Sequence, residues 1–471
     1  MPVALWWVRR DLRLTDNQAL HAALRHGEVV PVFILDPNVL NSRYHARAEK
    51  RRAFLFAGLR VLDTALRELG ARLIVREGEP VDELTRLQRE VGATAIFAEE
   101  DFSPHARARD AAIQKELSLA LTGGVTVRHP TGVQKTGGGP YTVFTPFSKA
   151  WKALTPITPR DVLPAPPAIP FPEIGRSLST IEPPRLRPPG VFPPGEVEAQ
   201  RRLERFTHQA IFDYAEGRNQ LDIDGTSALS PYFRFGMMSA RAAAVAALEA
   251  MRVAPSDAAR RGAETWLNEL IWREFYLHIL YNFPHVLRTA FNPSLRHIAW
   301  RDAPADFDAW KTGHTGYPIV DACMRQLAET GWMHNRGRMI VASFLVKDLL
   351  INWQRGEQWF MDGLVDGDPA ANNGGWQWTA GVGTDAAPYF RIFNPVLQSA
   401  RFDPRGRFIR RYVPELAAVP DRFIHEPGKM PVAEQRGCGV LIGQTYPAPL
   451  LEHAAVKART LAAYKQSQRL G

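Results

Sequence analysis

The segment DGDPAANNGGWQW, residues 366–378, sets two carboxylates, two asparagines and two glycines ahead of two tryptophans. On a helix, positions two apart point about 200° from each other. Trp376 and Trp378 would therefore face opposite ways from one polar segment. In WLNELIWREFY (266–276), Trp266, Glu269 and Arg273 fall on one helical face at i, i+3 and i+7, with Trp272 beside it. Indole, carboxylate and guanidinium together make a strange core face, because buried charge needs a partner, and the tryptophans point to a site. The same spacing also fits a surface ion pair between Glu269 and Arg273. In GWMHNRGRMIV (331–341), Asn335, Arg338 and Met339 share a face. Locally this reads as a solvated basic stripe at a helix start.

The fourth segment, DGTSALSPYFRFG (224–236), offers the hydroxyls of Thr226, Ser227 and Ser230 before a proline. Ser230 is expected as an N-cap, with Pro231 at the first helical position. Such an end can hold phosphate, or it can be a capped helix and nothing more. Other chemistries lack their residues. There is no GxGxxG after the first strand, no GxxxxGK[ST], no HExxH and no GxSxG. The histidines are scattered without paired ligand spacing, so no metal is expected.

These segments need a scaffold, and the chain divides by pattern. Up to residue 130 the apolar runs VALWWV, EVVPVFIL, ARLIV, ATAIFA and VTV have strand length. Helical patterns such as AEKRRAFLFAGLRVLDTALRELG and ARARDAAIQKELSLAL lie between several of them. That alternation predicts an α/β domain with a parallel, doubly wound, Rossmann-like sheet. Between Pro156 and Pro194 stand 13 of the 37 prolines, which predicts an interdomain linker over residues 131–196. From residue 197 to 471 the period is helical, as in SARAAAVAALEAMR, GRMIVASFLVKDLLINW and LEHAAVKARTLAAYKQ. An all-α second domain is expected there.

The whole chain sets outer bounds. Its 471 residues carry a net charge of +9 with 45% hydrophobic and 23% charged residues, ordinary for a globular protein and suited to a polyanionic partner. Only Cys323 and Cys438 are present, so a disulfide framework is excluded and a reducing cytosol fits. No signal peptide and no membrane span are expected.

Taken together, RRDLRLTDN, TSALSP, WLNELIWREFY, TGYPIVDACMRQL, TGWMHNRGRMIVASFLVKDLLINW, DGDPAANNGGWQW and RIFNP resemble the DNA photolyase/cryptochrome family, most closely the class I photolyases specific for cyclobutane pyrimidine dimers. The resemblance runs nearly end to end. It implies an N-terminal α/β antenna-type domain over residues 1–130 and a helical domain holding FAD, which is FADH− when active. It assigns Tyr214, Thr226, Ser227, Ala228, Leu229 and Ser230 to the adenosine–diphosphate side. Trp266, Arg273, Asn335, Arg338, Asp366, Gly367, Asp368 and Asn372 go to the flavin side, with Asn372 near N5.

The same resemblance makes Glu269, Trp272, Met339, Trp378, Arg218 and Arg336 contacts to UV-damaged DNA. Glu269, Asn335, Met339 and Asn372 would carry catalysis, and Trp376, Trp353 and Trp300 an electron chain. Photolyases for (6-4) photoproducts carry histidines where Asn335 and Met339 stand, so the cyclobutane dimer is the expected substrate. A deazaflavin-type antenna near Asp36, Arg51, Asp101 and Arg109 is favoured over a folate type, although Ser103 and His105 depart from the usual motif. A cytoplasmic, monomeric repair enzyme is expected. The rival is a cryptochrome-like blue-light photosensor without repair activity.

Overall fold

The computed structural model describes residues 1–470. Five parallel strands form one sheet in the order β3-β2-β1-β4-β5. They are β1 Val3–Val8, β2 Glu28–Leu35, β3 Ile74–Glu77, β4 Ala93–Ala98 and β5 Leu119–Leu121. All six residues of β1 are buried, and so are all of β2 after its first. Continuous apolar strands are what a sheet covered on both faces requires. The helices Gln18–His26, Glu49–Glu68, Pro80–Val91 and Pro104–Ile113 connect successive strands. Val30, Val32, Ile34, Ile74, Leu84, Leu87 and Ile96 belong to one core cluster with Leu5 and Trp7.

Two expectations for this region need correction. VTV, residues 125–127, is not a strand. The helix Asp257–Asn282 uses its backbone instead: the Arg273 guanidinium donates to the Val125 carbonyl (2.6 Å), and the Val127 N–H donates to the Glu274 carboxylate. The fifth strand lies in LAL, within a stretch whose pattern is helical, because that helix stops at Ile113. The proline-rich segment lies along the edge strand. Ile181 N–H donates to the Val75 carbonyl (3.0 Å), and Val75 N–H donates to Thr180 Oγ1 (2.9 Å). An edge covered this way offers little to a second chain.

The chain forms two compact units. One comprises Met1–Ala215, Thr226–Pro284 and Val365–Ala370, the other Glu216–Gly225, His285–Leu364 and Ala371–Gly471. The second unit is helical around a core that includes Trp310, Leu345, Trp353, Phe360 and Trp376. No helix among the described residues is long and apolar enough to cross a membrane.

GRMIVASFLVKDLLINW is not one helix. The α-helix Asn335–Ser343 passes into π-helix at Phe344–Asp348, Leu350 takes φ 52°, and Asn352 caps a new helix from Trp353. Such bulges interrupt the regular hydrogen-bond ladder.

Lys347 sits in that π-helical turn, buried, donating to the carbonyls of Ala380 (2.9 Å) and Tyr389 (3.2 Å), with its ammonium 3.9 Å from the Tyr464 ring centre. Burial pushes its pKa down to about 7. The unfolded chain keeps lysine protonated to about pH 10.4. The native state therefore releases this proton first, and stability gains from the group as pH rises past about 7. Tm should climb between about pH 6 and about pH 9 more steeply than in Lys347→Met. Parallel Tm curves would contradict the assignment.

Candidate functional site: two groups of polar and aromatic side chains

In the first unit, the helix Asp257–Asn282 begins behind Ser256, whose side chain accepts from Ala259 N–H. It carries Trp266 buried, with Glu269, Trp272 and Arg273 half-buried. The Phe206 ring lies between Tyr214 (5.6 Å, edge-on) and Trp266 (5.1 Å). The TSALS segment turns sharply, with Ala228 at φ 48°. Left-handed backbone at a non-glycine residue is costly and concentrates at functional loops. The helix that follows is Ser230–Phe235, with Leu229 at the cap position. Ser230 is thus its first residue and Pro231 its second, one place off the expected cap. Ser230 is exposed, whereas Thr226, Ser227 and Ala228 are half-buried and Leu229 is buried.

Arg10, immediately beyond β1, is a hub that the sequence reading missed. Its guanidinium pairs with Asp368 (2.6 Å), lies 3.6 Å from Asp101, and donates to the Arg234 carbonyl (3.2 Å). Burial opposes charge at Arg10, but Asp368 and then Asp101 raise its pKa overall. Burial likewise opposes charge at Asp101, yet Arg10, the Ser103 N–H, Arg9 and Arg109 hold its carboxyl well below the usual range. Arg234 donates to the Gly367 carbonyl (2.7 Å), and burial followed by repulsion from Arg10 pushes its pKa down to about 10. Arg273 is pushed to about 10 by burial, partly offset by Asp368. The only sequence signal for Arg10 was its place at the carboxyl end of a central strand, where open α/β sheets bind ligands.

The other antenna candidates lie near the same sheet end. Asp36 follows β2, accepts from Asn38 N–H (2.8 Å) and lies 3.7 Å from His105. Arg51 is buried and donates to the Tyr44 carbonyl. Arg109 pairs with Asp110 (2.9 Å), and both Arg109 and Arg9 lie 4.7 Å from the Trp7 ring centre. Trp272, a candidate DNA contact, stacks on Phe144 with centroids 3.7 Å apart and planes 5° apart. Phe144 opens the helix Phe144–Ala153, whose Trp151 indole donates to Glu274 (2.6 Å). Neither Phe144 nor Glu274 stood out in the sequence.

In the second unit, Asn335 and Met339 meet as helical spacing predicts, with Asn335 Nδ2 3.8 Å from Met339 Sδ. Arg336 donates from Nε (2.8 Å) and Nη2 (2.6 Å) to Asn219 Oδ1, and its guanidinium lies 4.6 Å from the Phe402 ring centre. Arg338 donates to the Met333 carbonyl (2.8 Å), and Arg218 is half-buried. Asn372 donates its amide to the Glu357 carbonyl (3.0 Å). A carbonyl only accepts, so this contact fixes the amide orientation and turns Oδ1 away as an acceptor.

Residues 376–378 are helical, within Pro369–Ala380, and their burial differs as opposed faces require. Trp376 is 2% exposed, while Trp378 is half-buried. Trp376 packs against Phe360 (5.0 Å) and Trp310 (6.2 Å), both edge-on. Trp353 is buried, and half-buried Trp300 meets Tyr464 at 6.1 Å. Trp310 and Tyr464 were not singled out in the sequence, since a buried aromatic at helical spacing looks like any core residue. No group of three or more metal-ligating side chains occurs among the described residues.

Residues 266–466 match the family described as the FAD binding domain of DNA photolyase, and residues 4–170 match the DNA photolyase family. The chain belongs to the DNA photolyase/cryptochrome family. It is an enzyme of that family, and FAD is the cofactor its helical domain takes. A deoxyribodipyrimidine photo-lyase of Salmonella typhimurium is 41% identical, with all of both chains covered. One from Agrobacterium fabrum is 40% identical over 98% of this chain and 97% of its own. Among solved structures, a bacterial class III photolyase from Agrobacterium tumefaciens superposes with a TM-score of 0.91 at 36% identity, covering 100% of this chain and 98% of that one. A Synechocystis cryptochrome does so with 0.88 at 30% identity, covering 99% of both.

The residues present fit FAD. In the first unit a strained hydroxyl-bearing loop enters the Ser230–Phe235 helix, and the guanidinium of Arg10 stands beside Asp368.

Proposed function

We propose that the chain repairs cyclobutane pyrimidine dimers in UV-damaged DNA, driven by light. The observation that carries this reading is the fixed amide of Asn372, whose Oδ1 is left as an acceptor. An acceptor there suits a reduced flavin with a proton on N5, and an amide cannot itself supply a proton. That favours repair over signalling. When bound, reduced FAD supplies the electron that opens the cyclobutane ring under illumination.

Tyr214, Thr226, Ser227, Ala228, Leu229 and Ser230 hold the adenosine–diphosphate end, and Trp266, Arg273, Arg338, Asp366, Gly367, Asp368 and Asn372 the flavin end. Trp272 and Trp378 stack on the flipped dimer, each base stack contributing about 1–3 kcal/mol against the cost of flipping. Phe144 already covers one face of Trp272, so the lesion takes the other. Glu269 accepts hydrogen bonds from the pyrimidine edge, and Arg218 and Arg336 bind phosphates. Asn335 and Met339 line the floor of the lesion site, and neither can act as an acid. Reversal of a (6-4) photoproduct must move a proton, so their identity supports the cyclobutane dimer as substrate.

The class I assignment belongs to this proposal, as does the division into residues 1–130, 131–196 and 197–471. Action as a cytoplasmic monomer and a deazaflavin-type antenna near Asp36, Arg51, Asp101 and Arg109 belong to it too. The likeness to a Synechocystis cryptochrome supports the second reading, a photosensor. Illuminating the reduced protein with DNA carrying one defined lesion separates them. Thymine recovery from the dimer, with none from the (6-4) photoproduct, is expected; no recovery from either would favour the photosensor. Glu269→Ala should lower dimer repair while FAD stays bound. Loss of flavin from that variant would move Glu269 from substrate to cofactor.

A further inference from the structure

In the first unit, the helix Phe144–Ala153 places Phe144, Phe147, Ser148 and Trp151 on one stripe at i, i+3, i+4 and i+7. The last three are buried against the helix Asp257–Asn282. Phe147 packs on Phe275 (5.3 Å) and His278 (5.1 Å), and the Trp151 indole N–H donates to the buried Glu274 carboxylate (2.6 Å). Glu274 also accepts from the N–H groups of Val127 and Arg128. A buried carboxylate engaged in this way is a firm anchor, because slippage of the helix would leave it short of a partner. The first turn has no such tie, since Val143 at the cap position makes no side-chain hydrogen bond.

Phe144 ends the stripe at the rim. It is half-buried, as is Trp272, so neither ring is simply core. Centroids 3.7 Å apart and planes at 5° set the two rings almost directly over one another. Ring quadrupoles alone favour edge-to-face or offset pairs, with centroids about 4.5–7 Å apart. The neighbouring pairs follow that preference, Phe144 with Phe275 at 5.9 Å and 78°, Trp272 with Phe275 at 5.6 Å and 82°. The close face-to-face stack is therefore imposed from outside the pair. The anchored helix brings Phe144 in, and Phe275 stands edge-on to both rings.

Resting on the reading in which Trp272 stacks on the flipped lesion, we propose that Phe144 is a positioning residue for lesion recognition, holding the Trp272 indole plane fixed before DNA arrives. An unsupported indole turns about two side-chain torsions and would lose that freedom on binding. A ring already fixed by its neighbour loses little, so more of the stacking energy appears as affinity. The gain belongs to the lesion alone, because an undamaged duplex offers Trp272 no flipped base. Phe144 thereby sharpens discrimination without touching the DNA.

The test measures binding of wild type, F144A, F144L and F144Y to a dimer-containing duplex and to the same duplex undamaged, with W272A and F144A/W272A beside them. F144A should bind the damaged duplex about 3- to 10-fold more weakly, the strength of one aromatic pair. Its binding to the undamaged duplex should match wild type. Leucine keeps apolar volume without a flat face, so F144L should lose as much as F144A, while F144Y recovers most of the affinity. Without Trp272, removing Phe144 should change affinity by less than about 2-fold, since the two act as a pair. Flavin absorbance and the urea midpoint check that each variant is folded. An F144A or F144L protein that binds damaged DNA like wild type would reduce Phe144 to filling volume and overturn the proposal. So would an equal loss on both duplexes, or an undiminished effect of F144A in the W272A background. A W272A protein that keeps the full preference for damaged DNA would instead overturn the reading beneath it, that Trp272 stacks on the lesion.

Discussion

Replacing Trp376 with phenylalanine should nearly abolish light-driven reduction of bound FAD, yet spare dimer repair once the flavin has been reduced chemically. Trp376 is 2% exposed and packed among Phe360, Trp310 and Gly356. That burial keeps it from solvent and suits the electron-passing role proposed for it. Trp378, half-buried two residues on, is the opposite case. Trp378→Ala should photoreduce normally but bind dimer-containing DNA more weakly by about 1–3 kcal/mol, which is roughly 5- to 150-fold in Kd. FAD absorbance under blue light measures the first function, and dimer loss after dithionite reduction measures the second. The proposal gives the two rings different partners because the helix sends them opposite ways. Equal loss of both functions in either folded variant would refute the division of labour.

What the sequence revealed of this arrangement depended on how local the determining contacts are. The Trp376/Trp378 opposition follows from helix geometry alone, and β1 and β2 read as strands because their apolar runs are continuous. The Asn335–Met339 contact is one helical turn and was equally plain. Residues 125–127 have strand composition but fail as a strand because Arg273 and Glu274, nearly 150 positions later, take up their backbone groups. Periodicity could not foresee that. The break at Phe344–Asp348 was hidden because Lys347 looks like an ordinary polar position, and its carbonyl partners lie 33 and 42 residues on.

Arg10 was hidden most deeply. It meets Asp368 across 358 positions, so its neighbours in sequence carry no trace of the pair. The hydroxyl residues of the TSALS segment were legible as types, while the left-handed backbone at Ala228 was not, since alanine gives no hint of it. Glycine gives such a hint more often, and one glycine bears directly on Arg10.

Gly236→Ala should destabilise the first unit by about 3 kcal/mol or more, as overpacking against immovable atoms does. Gly236 follows the Ser230–Phe235 helix at φ 64°, where a side chain is already strained. An added Cβ would overlap the Arg10 carbonyl oxygen, approach the Arg10 carbonyl carbon to 2.5 Å and lie 2.8 Å from Asp11 Cα. All three are backbone atoms, so no rotamer change can relieve the clash. The Gly236 carbonyl also accepts from Arg13 (3.1 Å), whose guanidinium pairs with Glu99 (2.6 Å). Displacing this strand of backbone would carry Arg10 away from Asp368 and Asp101. Gly437→Ala supplies the contrast, because nothing lies within 4 Å of a Cβ at that position. It should be neutral or slightly stabilising, by at most about 1 kcal/mol. Urea unfolding followed by tryptophan fluorescence, with bound FAD measured alongside, compares the two. A Gly236→Ala protein as stable as Gly437→Ala would mean that the backbone does not approach this closely, and that Arg10 is not held where its two carboxylates require.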